Sequence, residues 1–172
     1  MGDLPAMATR QLVLVRHAKA AAGSVDIERP LTKRGHRDSA ALGRWLVEQG
    51  IRPDRVSVSS GVRAQQTWSS AAAEMESIAE PVIDDRIYDN DVDELVEIAR
   101  ETPDEIGTLV LVGHNPSFEQ FAHDLDDGDG DEAARRELSA GYPTCGVAVF
   151  GTEGSWRELR RARLISFAVP RG

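Results

Sequence analysis

Two short apolar segments of the chain have nearly the same sequence, and each ends at a histidine. Residues 12–17 read LVLVRH and residues 109–114 read LVLVGH. Short, continuous apolar runs rich in β-branched residues are typical of strands buried on both faces, as in parallel sheets. A buried helical segment is the alternative, but these runs are short and end in turn-prone residues. We therefore predict two parallel strands that end at His17 and His114.

Elsewhere along the chain, helix and strand patterns alternate. Thr32 is a candidate N-cap for a helix that runs through residue 46 and stops at Gly50. Further helices are predicted at residues 62–75, 92–100 and 116–125, with Pro116 in the first turn of the last one. Further strands are predicted at residues 55–59, 81–84, 146–150 and 157–167, with a hairpin around 151–155 and an acidic loop at 126–132. This alternation predicts an α/β fold with a mostly parallel sheet covered by helices on both faces.

The sheet topology places the two histidines at one candidate ligand site. Ligands of open α/β sheets bind beyond the carboxyl ends of the strands. His17 and His114 both follow such ends. If their strands are neighbours, the two imidazoles face one cleft.

Length and composition predict a single domain at residues 11–170 after a flexible N-terminal tail at residues 1–10. The chain has 172 residues, of which 41% are hydrophobic and 28% charged. These fractions are ordinary for a globular protein. No apolar run reaches the roughly 20 residues of a membrane helix, and the start lacks the pattern of a signal peptide. Cys145 is the only cysteine, which fits a reducing compartment. We predict a cytoplasmic protein with no membrane partner.

The charge balance limits the ligands that the chain can bind. It contains 20 Lys and Arg residues against 29 Asp and Glu residues, and its formal net charge is −9. A nucleic-acid partner requires a basic face, so we predict none. An anionic substrate would need a local cationic pocket that overcomes the overall repulsion.

The residues around the two histidines provide such a pocket for a phosphoryl group. A neutral imidazole can attack phosphorus, and guanidinium groups nearby keep it neutral and bind phosphoryl oxygens in bidentate fashion. Arg16 is adjacent to His17, and Arg63 lies in the first turn of a predicted helix, whose N-terminus favours anions. His114 could donate hydrogen bonds or carry a proton, and Gly113 permits close approach of a ligand or of backbone. The alternative is that each histidine only satisfies a backbone group and that Arg63 is solvated.

Taken together, the motifs resemble the histidine phosphatase superfamily. Their order is Arg16-His17-Ala, then Leu-Thr-x-x-Gly at 31–35, Ser-x-x-Arg-Ala-x-x-Thr at 60–67 and Gly-His-Asn-Pro at 113–116. The pieces RHAK and VGHNP look most like its short SixA-like phosphohistidine phosphatase branch, and the resemblance runs from about residue 12 to 124. It implies a three-layer α/β/α sandwich and a metal-independent phosphatase without cofactors. It further implies His17 as the nucleophile and Arg16, Arg63 and His114 as the phosphate-binding residues.

The proton donor is the least defined member of the predicted site. Larger relatives carry an acidic residue after the third strand region, and Asp89 falls near that place. Asp84, Asp85 and Asp91 are close rivals, and a plain acidic surface loop is the alternative. Asp89 is therefore our candidate for the general acid.

The length of the segment between Asp89 and His114 bears on the substrate. It has room for one helix and one strand, so no lid domain is predicted and the pocket should be open and shallow. Such a site encloses a small molecule poorly but admits a phosphorylated side chain of a protein. Imidazole, with a pKa of about 6.5, also leaves more easily than an alkoxide. We therefore predict a phosphorylated protein partner, with phosphohistidine as the favoured substrate, and keep a small phosphorylated molecule as the alternative.

Other phosphate and metal chemistries fit the sequence poorly. A cysteine phosphatase needs an arginine six residues after its cysteine, and Gly151 occupies that position after Cys145. The chain has no glycine-lysine phosphate loop, and its four histidines show no zinc-like spacing. His36 and His123 are interpreted as exposed helix residues. A module that binds phosphorylated ligands without turnover is the remaining alternative from another functional class.

Overall fold

A six-stranded sheet with helices on both faces forms the framework of the protein in a computed structural model that describes residues 9–89 and 91–172. The strands are β1 (Arg10–Arg16), β2 (Arg55–Val58), β3 (Val82–Ile83), β4 (Thr108–Gly113), β5 (Val147–Thr152) and β6 (Arg163–Ala168). The helices are α1 (Lys33–Glu48), α2 (Val62–Ala72), α3 (Val92–Arg100), α4 (Ser117–Leu125) and α5 (Glu132–Ala140). Three short 3-10 turns cover Asp26–Glu28, Asp85–Ile87 and Trp156–Glu158.

The strand order is β3-β2-β4-β1-β5-β6, and the sheet is mostly parallel. Strands β3, β2, β4 and β1 run parallel to one another. Strand β5 pairs antiparallel with both of its neighbours, β1 and β6. The two LVLV strands are neighbours, and identical positions pair from Leu12 with Leu109 to Val15 with Val112. The predicted α/β sandwich without a lid domain is thus confirmed.

Alternation along the central strands divides the core into two layers. Leu12 and Leu14 of β1 pack in the cluster that contains residues of α3, α4 and α5, whereas Val13 and Val15 pack in the cluster that contains residues of α1 and α2. Successive side chains of a strand point to opposite faces, so a strand buried on both faces must be apolar throughout. The uninterrupted apolar runs in the sequence follow from this arrangement.

Two element boundaries and one whole helix differ from the sequence prediction. Helix α2 ends at Ala72 rather than at residue 75, and the last strand begins at Arg163 rather than at residue 157. The segment before that strand forms a 3-10 turn because the buried Trp156 indole N–H donates to the Ile106 carbonyl (2.7 Å). Helix α5 was not predicted, because of its nine residues only Ala134 and Leu138 are buried.

The described part of the chain begins directly before β1. Residues 1–8 of the predicted tail lie outside the described residues, whereas Arg10 is already the first residue of β1. In the part of the chain that the structure describes, no helix has both the length and the apolar character needed to cross a membrane.

Gly35 lets helix α1 approach the segment that follows β1. The hydroxyl of Thr32 caps the helix by accepting a hydrogen bond from the Gly35 amide (3.0 Å). A Cβ at position 35 would lie 2.2 Å from the Lys19 carbonyl oxygen. The spacing of Thr32 and Gly35 therefore has a capping and packing role next to the predicted site.

We expect Gly35→Ala to destabilise the protein by about 1 to 3 kcal/mol, because the added methyl group overlaps with backbone that has little freedom to move. Gly154→Ala is the matched control, since a Cβ there meets no atom within 4 Å. Urea denaturation of both variants measures the free energies of unfolding. Equal stabilities of the two variants would contradict the packing role of Gly35.

Candidate active site

The pairing of β1 with β4 brings His17 and His114 together at the carboxyl edge of the sheet. Arg16 pairs with Gly113, and the His17 amide continues the ladder by donating to the Gly113 carbonyl (2.9 Å). The imidazole ring centroids lie 5.2 Å apart. The two predicted histidines therefore share one site.

His17 presents one ring nitrogen without a hydrogen-bond partner. Its Nδ1 lies 2.7 Å from the Ala18 carbonyl oxygen. A carbonyl only accepts, so in the neutral ring Nδ1 carries the proton and Nε2 carries the lone pair. Burial, with the Arg63 and Arg16 charges contributing, lowers the pKa of His17 to about 4. The imidazole is thus neutral at pH 7, with the basic nitrogen that a nucleophile needs.

His114 is likewise neutral and buried. Burial is the main cause that lowers its pKa to about 3, and the neighbouring His17 and Arg63 act in the same direction. Its Nε2 lies 2.7 Å from the Ser59 hydroxyl oxygen. Its Nδ1 is buried without a hydrogen-bond partner among the described residues.

Arg63 extends from the first turn of α2, and only one side of its guanidinium is occupied. Its two terminal nitrogens donate to the backbone carbonyl of Asp26 (2.9 Å) and to the Asp26 carboxylate (3.1 Å). Its Nε is buried and has no partner within residues 9–89 and 91–172. The residue is 8% exposed.

Arg16 has the same arrangement on the opposite side of the site. One terminal nitrogen donates to the Tyr142 carbonyl (2.9 Å), and Nε is buried without a partner in the described chain. Desolvation lowers the pKa of Arg16, partly offset by the charge of Glu119. Both arginines lower the pKa of each histidine, which places all four groups in electrostatic range of one another.

The predicted phosphate-binding residues share one feature. Arg16, Arg63 and His114 each have one buried ring or guanidinium nitrogen without a partner in the described chain, as Arg10 and Trp68 do outside the site. Leaving a buried polar group unsatisfied costs about 1 to 3 kcal/mol. An oxyanion is suited to accept hydrogen bonds from such nitrogens where they carry protons.

Asp26 connects three parts of the site and was not predicted. Its carboxylate accepts hydrogen bonds from the hydroxyl of Tyr88 (2.6 Å), from Arg29 (3.1 Å) and from Arg63 (3.1 Å). These bonds, with that of Tyr88 contributing most, hold the pKa of Asp26 well below its usual range. The carboxylate is therefore ionised and holds one terminal nitrogen of Arg63, while the backbone carbonyl of Asp26 holds the other.

The candidate general acid Asp89 is exposed and directly follows Tyr88, whose ring lies edge-on to His114 with centroids 5.6 Å apart. Two rivals have other tasks. Asp84 forms an ion pair with Arg86 (2.7 Å), and Asp91 caps α3 by accepting from the Glu94 amide. Asp89 therefore remains a candidate for the general acid because of its position in the sequence, directly after Tyr88.

Several supporting residues explain the motif spacing. Thr67 accepts a hydrogen bond from the Ala18 amide (2.9 Å) and donates to the Arg63 carbonyl (2.7 Å), so it connects α2 to the residue after His17.

Gly113 has a different role from the expected close approach of a ligand or of backbone. A Cβ at this position would overlap with the Phe118 ring and with Ile87, so the glycine makes room for side-chain packing. Ser59, Asp26 and Tyr142 were missed, since each reaches the site through contacts with residues far away in the sequence, which leave no sequence pattern.

Metal ligation finds no support in the described ranges, which contain no group of three or more His, Cys, Asp and Glu side chains suited to a metal ion. The two site histidines are buried beside arginines, and cations of this kind oppose a metal ion electrostatically. His36 and His123 are exposed helix residues, as predicted.

Comparisons with known proteins agree with this geometry. The sequence model of the histidine phosphatase superfamily (branch 1) matches residues 12–109, more than half of the chain. The uncharacterized protein Rv1276c of Mycobacterium tuberculosis is 33% identical over 162 residues, which cover 91% of this chain and 100% of that protein. The mitochondrial serine/threonine-protein phosphatase Pgam5 of Drosophila erecta is 33% identical over 137 residues, 78% of this chain and 42% of that protein. The structure of the candidate phosphohistidine phosphatase SixA from Nakamurella multipartitia has 30% identity and a TM-score of 0.84, and the match covers 94% of this chain and 96% of that chain.

The lowered pKa values of His17 and His114 predict a stability that depends on pH. Between their folded-state values of about 4 and about 3 and the unfolded value of 6.5, the unfolded chain binds protons that the folded chain does not. The free energy of unfolding should therefore fall as the pH drops from 7 to 5, by about 1 to 2 kcal/mol for each histidine.

Urea denaturation at the two pH values measures this effect. The double variant His17→Gln, His114→Gln should lose most of the dependence, whereas the exposed control His36→Gln should keep it. The same pH dependence in the double variant and in the unmodified protein would contradict the neutral state of both imidazoles.

Proposed function

The chain belongs to branch 1 of the histidine phosphatase superfamily, and we propose that it is a metal-independent phosphohydrolase that turns over through a phosphorylated His17. Phosphohistidine on a protein is the substrate that we favour. His17 acts as the nucleophile, and Arg16, Arg63 and His114 bind the phosphoryl oxygens.

One observation carries this proposal more than any other. The basic Nε2 of His17 belongs to a site in which three other side chains, Arg16, Arg63 and His114, each hold a buried nitrogen without a partner. A transferring phosphoryl group supplies oxygens for such donors and a phosphorus atom for the nucleophile. A module that only senses phosphorylated ligands would need the donors but would have no use for a neutral, oriented imidazole.

The chemistry proceeds in two displacements at phosphorus. In the first, the lone pair of His17 Nε2 forms a bond to phosphorus while the bond from phosphorus to the leaving nitrogen or oxygen breaks. The leaving group takes a proton from a general acid or from water. In the second, water attacks the phosphorylated His17, the N–P bond breaks, and inorganic phosphate departs with the imidazole restored. The two guanidinium groups stabilise the charge on the equatorial oxygens in both steps.

Three considerations favour phosphohistidine. The chain between Asp89 and His114 contains α3 and β4 and no inserted lid, which supports a site open to a side chain of another protein. The likeness to the SixA structure points in the same direction. A neutral imidazole is also a better leaving group than an alkoxide, so a weak general acid suffices.

The likeness to Pgam5 supports a second candidate. That relative acts on phosphorylated serine and threonine according to its name, and it shares 33% identity with 78% of this chain. Phosphoserine or phosphothreonine in a protein is therefore the rival substrate class, and it would require a competent general acid. A small phosphorylated metabolite fits an open site less well.

A substrate panel tests the proposal. Phosphohistidine, phosphoserine and phosphotyrosine peptides and small phosphorylated metabolites are incubated with the protein, and the released phosphate is measured. We expect the phosphohistidine peptide to have the highest kcat/KM, and His17→Ala to abolish turnover and the acid-labile phosphoenzyme seen after rapid quenching. His36→Gln serves as the control and should react normally. Appreciable activity of His17→Ala would refute the covalent mechanism.

A general-acid role of Asp89 predicts an effect that depends on the leaving group. Asp89→Asn should slow phosphoserine peptides more than phosphohistidine peptides, because an alkoxide depends more strongly on protonation. Asp93→Asn, an exposed residue of α3, is the control and should leave both rates unchanged. If Asp89→Asn slows both substrates equally, protonation of the leaving group is not the task of Asp89.

A further inference from the structure

Ser59 is a buried residue at the end of β2 that contacts His114 directly. It follows the last residue of the strand, and its side chain has no exposed surface. Its Oγ lies 2.7 Å from His114 Nε2 and accepts a hydrogen bond from the Gly61 amide (3.1 Å). The hydroxyl therefore lies between the N-terminal end of α2 and the imidazole.

The hydrogen bonds around Ser59 can be arranged in two ways. In the first, the hydroxyl donates to His114 Nε2, so the imidazole proton lies on Nδ1, and the only unsatisfied group is that Nδ1–H. In the second, Nε2–H donates to Oγ, which leaves two unsatisfied groups, the buried Ser59 O–H and the bare Nδ1. Because each unsatisfied buried group costs about 1 to 3 kcal/mol, the first arrangement is favoured.

The neutral state of His114 makes this choice decisive. An imidazolium would carry protons on both nitrogens, but burial and the nearby cations keep this ring neutral at pH 7. A neutral ring has one proton, and the hydrogen bond made by one nitrogen determines which nitrogen carries it. A bare Nδ1 would direct a lone pair toward the phosphoryl oxygens and repel them.

We propose that Ser59 is a positioning residue that holds His114 as the Nδ1–H tautomer, so that His114 donates to a phosphoryl oxygen alongside the Nε–H groups of Arg16 and Arg63. The inference rests on the proposed function for its consequence in catalysis. The tautomer itself follows from the hydrogen bonds of the free protein. In this tautomer, Nδ1–H is the group of His114 that has no partner in the described chain.

Nuclear magnetic resonance of the intact protein with ¹⁵N-labelled histidine measures the tautomer at pH 7. We expect the Nδ1 shift of His114 to be that of a proton-bearing nitrogen and the Nε2 shift that of a bare nitrogen accepting a hydrogen bond. The His114 signals are identified by their loss in His114→Gln. A proton on Nε2 would overturn the inference.

Variants at position 59 connect the tautomer to turnover. Ser59→Ala removes the donated hydrogen bond, so the His114 proton should move toward Nε2, and kcat for hydrolysis of phosphoramidate should fall about 100-fold, as for the loss of one oxyanion donor. Ser59→Thr keeps the hydroxyl and should restore most of the rate. Ser57→Ala, a buried serine of the same strand, is the control and should keep the normal kcat. A normal kcat and an unmoved proton in Ser59→Ala would also overturn the inference.

A double-mutant comparison separates positioning from a role in the fold. In a His114→Gln background, Ser59→Ala should cause no further loss of kcat, because the group that it positions is gone. An equal loss in both backgrounds would assign Ser59 to the fold and overturn the inference.

Failure of the proposed function can be distinguished from failure of the inference about Ser59. An inactive protein whose His114 is the Nδ1–H tautomer contradicts only the proposed function. An active protein whose His114 is the Nε2–H tautomer contradicts only the inference about Ser59.

Discussion

The parallel, in-register pairing of β1 with β4 is the constraint on which the rest of the site depends. It carries two similar segments to the same height in the sheet, and the bond from the His17 amide to the Gly113 carbonyl extends the ladder by one residue. A shift of one residue would move every side chain of β1 to the opposite face. The apolar alternation on both faces of β1 and β4 prevents such a shift, because either core would then be mispacked. Packing of the core therefore fixes the distance between the two imidazoles.

The site is electrostatically costly in the free protein. Two buried histidines are held neutral beside two arginines, and three buried nitrogens have no partner in the described chain. Each of these features lowers the stability of the fold. Under the proposed function each also raises the affinity for a phosphoryl group, because the anion supplies both the missing acceptors and the missing charge. Fixed donors also avoid reorganisation during the reaction. The large apolar layers on both faces of the sheet stabilise the framework that carries this cost.

The sequence was sufficient to predict the two strands that repeat one apolar pattern and the site residues that belong to several separated motifs. The strands β1 and β4 were visible because burial on both faces requires an unbroken apolar run. The grouping of Arg16, His17, Arg63 and His114 was visible because four motifs occurred in one order. Ser59 and Asp26 were missed because their contacts with the site join residues that lie far apart in the sequence. Helix α5 was missed because its buried face is limited to Ala134 and Leu138, which is too little to produce a clear period.

Asp26 resolves an apparent conflict between the proposed phosphate-binding site and a chain of net charge −9. Its carboxylate repels a phosphoryl dianion, yet the carboxylate and the backbone carbonyl of Asp26 each hold one terminal nitrogen of Arg63 in place before any ligand arrives. A free arginine side chain has about 2 kcal/mol of rotamer entropy to lose on binding. Bracing by Asp26 removes much of that loss in advance, and it leaves the Nε–H of Arg63 free for the anion. The positive charge of Arg29 and the hydroxyl of Tyr88, which both donate to the Asp26 carboxylate, weaken the repulsion. An acidic residue can thus strengthen an anion site, provided that it binds the outer side of the guanidinium and leaves the inner side to the substrate.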